Sequence, residues 1–198
     1  MNTKISRALF AIKQVKSFLP TYSLKTLYYA LIHPHITYGI LAWGNARSSL
    51  KNKMFLLQKR ALRYIHNATY NSHTDPLFKN SEILKLDDIY EQQTVLFMYD
   101  YINHRLPISF NHMFKLKSEM VTGYNTRTTE YFHIPLSKTQ FLDAMPIIHF
   151  PKIGNKWYDL ISKSPSRSLF KNLIKNRFLS LYCIDVLCTY PRCIDCRI

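Results

Sequence analysis

No aspartate or glutamate occurs before Asp75. The same stretch holds Lys4, Arg7, Lys13, Lys16, Lys25, Arg47, Lys51, Lys53, Lys59, Arg60 and Arg63, so residues 1–74 carry +11 of the chain's formal net +15. Catalytic Mg²⁺ needs carboxylate oxygens, and this part of the chain has none to offer. Glycine is also scarce, 4 in 198 residues, which argues against folds dominated by tight turns and phosphate-cradling loops. Gly39 and Gly44 have the glycine spacing of a phosphate loop, but Asn45-Ala46 stands where Lys and Ser/Thr are required. There is no Gly-x-Ser-x-Gly elbow and no His-Glu-x-x-His zinc motif. The N-terminus is basic and amphipathic, without an apolar core or small-residue cleavage site, so the expectation is an intracellular protein, in cytoplasm or nucleus, that is not secreted. Residues 26–46 lack charge, yet His33-Pro34-His35 lies at their centre and would be costly in hydrocarbon. A buried, bent helix is the better reading of that stretch. No internal repeat, low-complexity tract or Gly/Ser linker is present.

What is present is a composition that folds. Hydrophobic residues make up 47% and aromatic residues 14%, well above the range of disordered chains, and the length suits one domain or two small ones. Such an excess of positive charge on so short a chain points to a polyanion. Nucleic acid is the first candidate and an anionic membrane surface the second. The expected partner is the backbone of RNA or DNA, with no membrane.

Periodicity predicts a mainly α-helical chain. Ile5, Leu9, Ile12, Val15 and Leu19 recur at helical steps up to Pro20. Ser23 could cap a second helix with Leu24, Leu27, Tyr28 and Leu31 on one face, and Pro34 should kink or break it before residues 36–43. A third helix begins near Ser48 or Ser49, with Leu50, Met54, Leu57, Ala61, Tyr64 and Ile65 as its apolar stripe. Asp75-Pro76 reads as a cap followed by a first-turn proline. Asp87 or Asp88 should cap a longer helix to about His104 that buries Ile89, Leu96, Tyr99 and Ile102. Residues 124–134 are rich in β-formers, so a minor extended segment is expected near 124–150. A last helix over residues 167–182 should turn Leu169, Phe170, Leu173 and Ile174 inward. Composition divides the chain into a basic helical region 1–74, a helical continuation 75–123, a mixed segment 124–182 and a cysteine-containing tail 183–198.

The best basic face lies on the third helix, where Lys53, Lys59, Arg60 and Arg63 gather away from the apolar stripe, with Tyr64, His66 and Tyr70 nearby. Cations interleaved with aromatics suit a phosphate backbone and occasional base stacking. Lys13 and Lys16 are the supporting candidates. The bland alternative is a solvated helix face; the absence of acids over 74 residues tips the reading toward nucleic acid. Paired aspartates such as Asp87-Asp88 can hold two metal ions between strands, but here they start a helical pattern and read as capping. His33 and His35 lack an evident third ligand, so a packed or exposed pair is preferred to a metal site. All four cysteines, Cys183, Cys188, Cys193 and Cys196, fall in the tail. Reduced thiols on a frayed terminus are the favoured reading; a four-thiolate zinc site is the minority one, since only Cys193-x2-Cys196 has knuckle spacing. No catalytic residue and no cofactor are expected.

The order of features resembles a known family. Leu27-Tyr28-Tyr29-Ala30-Leu31-Ile32-His33-Pro34, then Tyr38-Gly39-Ile40 and Trp43-Gly44, is similar to the segment just after the polymerase palm in non-LTR (LINE-type, jockey-like) retrotransposon reverse transcriptases. Leu57-Gln58-Lys59-Arg60-Ala61-Leu62-Arg63 resembles that family's "lQ-K/R-A-R" helix. Pro76-Leu77-Phe78, Ile83-Leu84-Lys85-Leu86, Phe97-Met98-Tyr99, Leu106-Pro107, Tyr124-Asn125-Thr126-Arg127, Gly154-x2-Trp157 and Ser168-Leu169-Phe170-Lys171 follow in the family's order, so the resemblance covers about residues 5–182. It implies a non-catalytic fragment of an RNA-directed DNA polymerase: a helical, thumb-like bundle that grips the template–primer backbone without sequence specificity. The palm with its metal-binding aspartates, and the endonuclease, would precede Met1, so Mg²⁺ belongs to the absent palm. The reverse-transcriptase core is the second implied partner. Tyr158 departs from the family's usual Asn after Trp157, and the histidine-free cysteine tail lies beyond the resemblance. A rival reading is an interaction remnant whose aromatic surface, drawn from 14 Tyr and 12 Phe, packs on the missing palm or another protein.

Overall fold

The computed structural model describes residues 2–117 and 131–182. It is mainly α-helical, as predicted. Two compact units emerge: unit 1 comprises Met1–Ile89 with Lys175–Ile198, and unit 2 comprises Tyr90–Ile174. The boundaries between the two units fall after residues 89 and 174.

Unit 1 starts with α1 (Asn2–Val15), whose Ile5, Leu9 and Ile12 are buried as their spacing requires. Pro20 then opens α2 (Thr21–Leu31), occupying its N-cap position, so Ser23 lies in the first turn and is not the cap. Leu24 and Tyr28 are its buried residues, whereas Leu31 is exposed. Pro34 ends that helix and sits in the first turn of α3 (His33–Thr37), where its missing N–H costs nothing. Gly39, at φ +61°, makes the next break before α4 (Ile40–Trp43). The uncharged stretch is thus three short helices, and among the described residues no helix is long and apolar enough to cross a membrane.

The principal helix of unit 1 is α5 (Ser48–Ile65), which packs against α1 and α2. Its buried row is Met54, Gln58, Ala61, Leu62 and Ile65, while Leu50 at its start is 58% exposed. The row is rotated from the predicted stripe because a glutamine occupies its centre. Gln58 Nε2 donates to the Tyr28 hydroxyl (3.0 Å) and to the Leu84 carbonyl (2.8 Å), tying three parts of unit 1 together. The α6 helix (Asp75–Ser81) has Thr74, not Asp75, at its N-cap position. Asp75 is buried instead, and its carboxylate pairs with Lys85 Nζ at 2.5 Å.

Asp87 and Asp88 likewise do not cap; they lie within the first turn of α7 (Leu86–Ile102). Asp87 pairs with Lys51 (2.9 Å), and Asp88 accepts a hydrogen bond from the Tyr182 hydroxyl. Tyr182 is 6% exposed, follows the end of α10 (Arg167–Ser180), lies edge-on to Phe78 and takes the Lys85 backbone N–H on its oxygen. In that same helix Phe170, Ile174 and Phe178 are the buried residues. Leu169 and Leu173, expected inward, are exposed, because the neighbouring row carries the larger aromatic area.

Within unit 2, α7 buries Tyr90, Gln92, Thr94, Val95, Leu96, Met98 and Tyr99, so it is covered on several sides and has little amphipathic period. A 3₁₀ turn (Ile108–Phe110) follows. Expectation and structure part only over residues 140–150. Residues 131–139 are non-helical, with one antiparallel bridge between Leu116 and Phe132, but α8 (Gln140–Asp143) and the start of α9 (Pro146–Lys163) are helical. The helix signals there are local: Thr139 accepts the Leu142 N–H as an N-cap, and Pro146 takes the first position of α9.

Phe132 is fixed by a side chain acting as a strand. Asn155 Oδ1 accepts the Phe132 N–H (2.8 Å), and Asn155 Nδ2 donates to its carbonyl (3.0 Å). Gly154 makes room for that ring: a Cβ there would meet Met98 Cε at 3.0 Å and Phe132 at 3.1 Å. Trp157 is buried and donates its indole N–H to Glu91 (2.7 Å), which also pairs with Lys156 (2.6 Å). Tyr158 stacks on Tyr131 with centroids 4.2 Å apart.

With few glycines, three helix ends among the described residues reach the left-handed region on ordinary residues: Asn67 (φ 49°), Glu82 (φ 53°) and His104 (φ 53°). Each is followed by a long closing bond, Ala68 N–H to Arg63, Ile83 to Phe78 and Arg105 to Asp100. These satisfy carbonyls that a helix end would otherwise leave open.

Candidate nucleic-acid interface

The outer face of α5 follows from simple geometry. At about 100° per residue, Lys53, Arg60, Leu56, Arg63 and Lys59 span one arc opposite the row that buries Met54, Gln58, Ala61 and Ile65. Lys53 and Arg60 are exposed and make no hydrogen bond or ion pair with another described residue. Lys59 is half-buried, its ammonium 4.6 Å from the Phe55 ring centroid. Arg63 is also half-buried and has a second task. Its Nε and Nη2 donate to the Ser72 carbonyl (3.2 and 3.0 Å), which folds the loop after α5 back along the helix, and its guanidinium lies 5.9 Å from the Tyr70 ring centroid. Burial lowers its pKa, Tyr70 opposes that and Arg60 adds to it; a guanidinium stays charged regardless.

Lys16 extends this face. Its Nζ donates to Asn67 Oδ1 (2.8 Å) and sits 5.9 Å from the Tyr64 centroid, at the C-terminal end of α5. Lys13 is exposed in the last turn of α1, without an interaction that ties it to α5. His66 belongs to the fold and not to the face: its Nε2 is 2.6 Å from Ser81 Oγ, and burial with the nearby Lys25 charge lowers its pKa. Tyr70, by contrast, is 72% exposed beside Arg63.

Two features of the site escape sequence reasoning. One is His73, which the loop carries to the flank of α5, where it joins Leu56, Lys59, Arg63 and Tyr70 around a cleft of about 360 Å³. Nothing in the local sequence announces that return. The other is selective neutralisation. Unit 1 places described carboxylates on Lys51, Lys85 and Lys175 through Asp87, Asp75 and Glu82, while none is brought to Lys53 or Arg60.

The remaining candidates sort differently. His33 packs against Tyr28 and Tyr29, with ring centroids 6.3 and 5.2 Å away, and no cluster of three metal-ligating side chains exists among the described residues. Cys183, Cys188, Cys193 and Cys196 lie outside the described residues, as do residues 124–130 of the expected extended segment. No family model matches the chain, and no curated protein or solved structure matches it.

Proposed function

We propose that unit 1 binds the phosphate backbone of RNA or DNA, without sequence preference, through Lys53, Lys59, Arg60 and Arg63 on α5, with Lys16 and Lys13 at its margin. The observation that carries this reading is the pair Lys53 and Arg60, exposed on the outer arc of α5 with no described carboxylate on either, beside carboxylates that neutralise lysines elsewhere in the same unit. Phosphates would replace the missing counter-charge, and side-chain cations with no base-edge geometry to enforce would confer little sequence choice. In this reading the chain is the thumb-like, non-catalytic part of a non-LTR retrotransposon reverse transcriptase, and the polymerase core is its natural neighbour.

The test is fluorescence anisotropy on a labelled RNA/DNA hybrid between about 50 and 200 mM salt, where phosphate-driven binding falls by orders of magnitude. Lys53→Glu with Arg60→Glu should weaken binding and reduce the log–log salt slope by roughly 0.9 for each phosphate no longer neutralised. Unchanged affinity, or affinity insensitive to salt, would refute the reading. Arg63 is the poorer target, because its reversal also releases the Ser72 carbonyl.

Exposed rings favour a second reading, an interaction surface for protein. Phe18 (85% exposed), Tyr22 and Tyr38 on unit 1 and Phe141 on unit 2 are uncovered. Size-exclusion chromatography separates the two: salt-dependent nucleic-acid carry-over supports the first, and salt-independent oligomers support the second.

A further inference from the structure

The loop after α5 does more than close the helix. Arg63 pins it by the Ser72 carbonyl, and Thr69 Oγ1 and Ser72 Oγ are hydrogen-bonded at 2.7 Å. The result is a concave site of about 360 Å³ within unit 1, at the small end of the ~300–1,000 Å³ range of ligand pockets. Its walls combine two cations, an exposed aromatic ring and an imidazole: Lys59, Arg63, Tyr70 and His73. Phosphate alone needs no ring, and a paired duplex offers its backbone but not the faces of its bases. The chemistry served by a ring standing beside cations is an unpaired base with its phosphate attached.

We infer that this cleft holds one nucleotide of a single-stranded RNA or DNA segment, with its base stacked on Tyr70 and its phosphate at Lys59 and Arg63. The inference rests on the backbone-binding reading and refines it. Lys53 and Arg60, outside the cleft, serve paired and unpaired strands alike, whereas Tyr70 serves only unpaired ones. Arg63 commits only part of its donor set to Ser72, so its guanidinium can still face a phosphate. His73 lines the same wall: burial lowers its pKa, Asp75 opposes this, and Lys85, Lys59 and Arg63 reinforce it.

The experiment compares labelled oligo(dT) and oligo(rU) of roughly 12 nucleotides with a hybrid duplex of the same length, a span within the 4–16 nucleotides of typical single-strand sites. Tyr70→Ala should weaken binding to the single strands by roughly 5- to 150-fold, the equivalent of losing one stacked base, and leave duplex affinity within about twofold. Tyr70→Phe, which keeps the ring, should retain single-strand affinity. If Tyr70→Ala leaves single-strand binding unchanged, or lowers single-strand and duplex binding equally, the cleft is not a base site. Should Lys53→Glu/Arg60→Glu weaken both strands while Tyr70→Ala weakens neither, the cleft assignment falls and the backbone reading stands. If neither variant weakens anything, both fall. Photo-crosslinking of unaltered protein to 5-iodouracil-substituted strands gives a readout independent of variant folding. An adduct on Tyr70 supports the site, and adducts found only elsewhere overturn it.

Discussion

Unit 1 and unit 2 reach stability by different means. Unit 1 is assembled from aliphatic rows, Ile5, Leu9 and Ile12 on α1 with Leu62 and Ile65 on α5, and one outer helix face is left cationic. Unit 2 has an aromatic interior in which Phe97 meets Phe110, Phe114 and Phe150, Tyr101 meets Phe114 and Phe132, and Tyr99 stacks on Phe170 at 5.0 Å. Its carboxylates Glu91, Asp100 and Asp143 are paired with Lys156, Arg167 and Lys152. The difference teaches where charge is spent. In unit 2 it fastens segments to one another, and on the outer arc of α5 Lys53 and Arg60 meet no described carboxylate. It also corrects the scale of the charge asymmetry. The whole segment 1–74 is acid-free in sequence, but folding returns Asp87 to Lys51.

The contrast can be broken most sharply at Trp157. Trp157→Ala should cost about 3–5 kcal/mol in urea denaturation, because a buried ring is lost and Glu91 loses its indole donor. A much smaller cost would mean that unit 2 does not depend on its aromatic interior. Gly154→Val comes next, at about 1–3 kcal/mol, since its side chain would press on Phe132, which Asn155 holds at both backbone groups. A stabilising substitution there would show that Phe132 is free to move. In unit 1, Gln58→Met conserves volume but strands the Leu84 carbonyl and the Tyr28 hydroxyl, with an expected loss of about 1–3 kcal/mol. A neutral result would make the row purely aliphatic in effect.

His66 gives unit 1 a pH dependence. Its folded pKa lies below the unfolded value of 6.5, so the unfolded chain takes up the proton first as pH falls. The contribution is therefore full above 6.5 and lost as pH drops through the folded value. Melting curves of His66→Gln between neutral and mildly acidic pH should depend less on pH than those of the parent. The smallest effect has the opposite sign: His104→Gly should stabilise by about 1 kcal/mol, because glycine adopts φ 53° without a Cβ clash. No gain in melting temperature would mean that the His104 side chain compensates its own backbone.

Legibility in the sequence divided along the same line. Ile5-Leu9-Ile12 and the cationic arc of α5 could be read from period alone, since one buried and one exposed face impose it. The α7 helix could be placed by its extent but not by its face, because burial on several sides erases the period. Gln58, Asp75 and Asn155 were illegible for another reason. Each is polar by type and internal by virtue of one distant partner, which no local pattern encodes. The cleft beside α5 shares that fate: Lys59, Arg63 and Tyr70 were visible, but the Ser72 carbonyl that bends the loop and delivers His73 was not. Tyr158 finds its use in the stack with Tyr131.

Tyr182 carries a consequence for biosynthesis. Its ring and hydroxyl complete the wall made by Phe78, Lys85 and Asp88, although unit 2 intervenes in the chain. On a ribosome adding about 5–20 residues per second, roughly 5–20 s pass between the emergence of Ile89 and of Tyr182. For that interval the nascent unit 1 presents an open seam at Phe78 to whatever is nearby, and unit 2 has all of its residues only shortly before Tyr182 is added. The more basic unit is thus begun before unit 2 and completed after it.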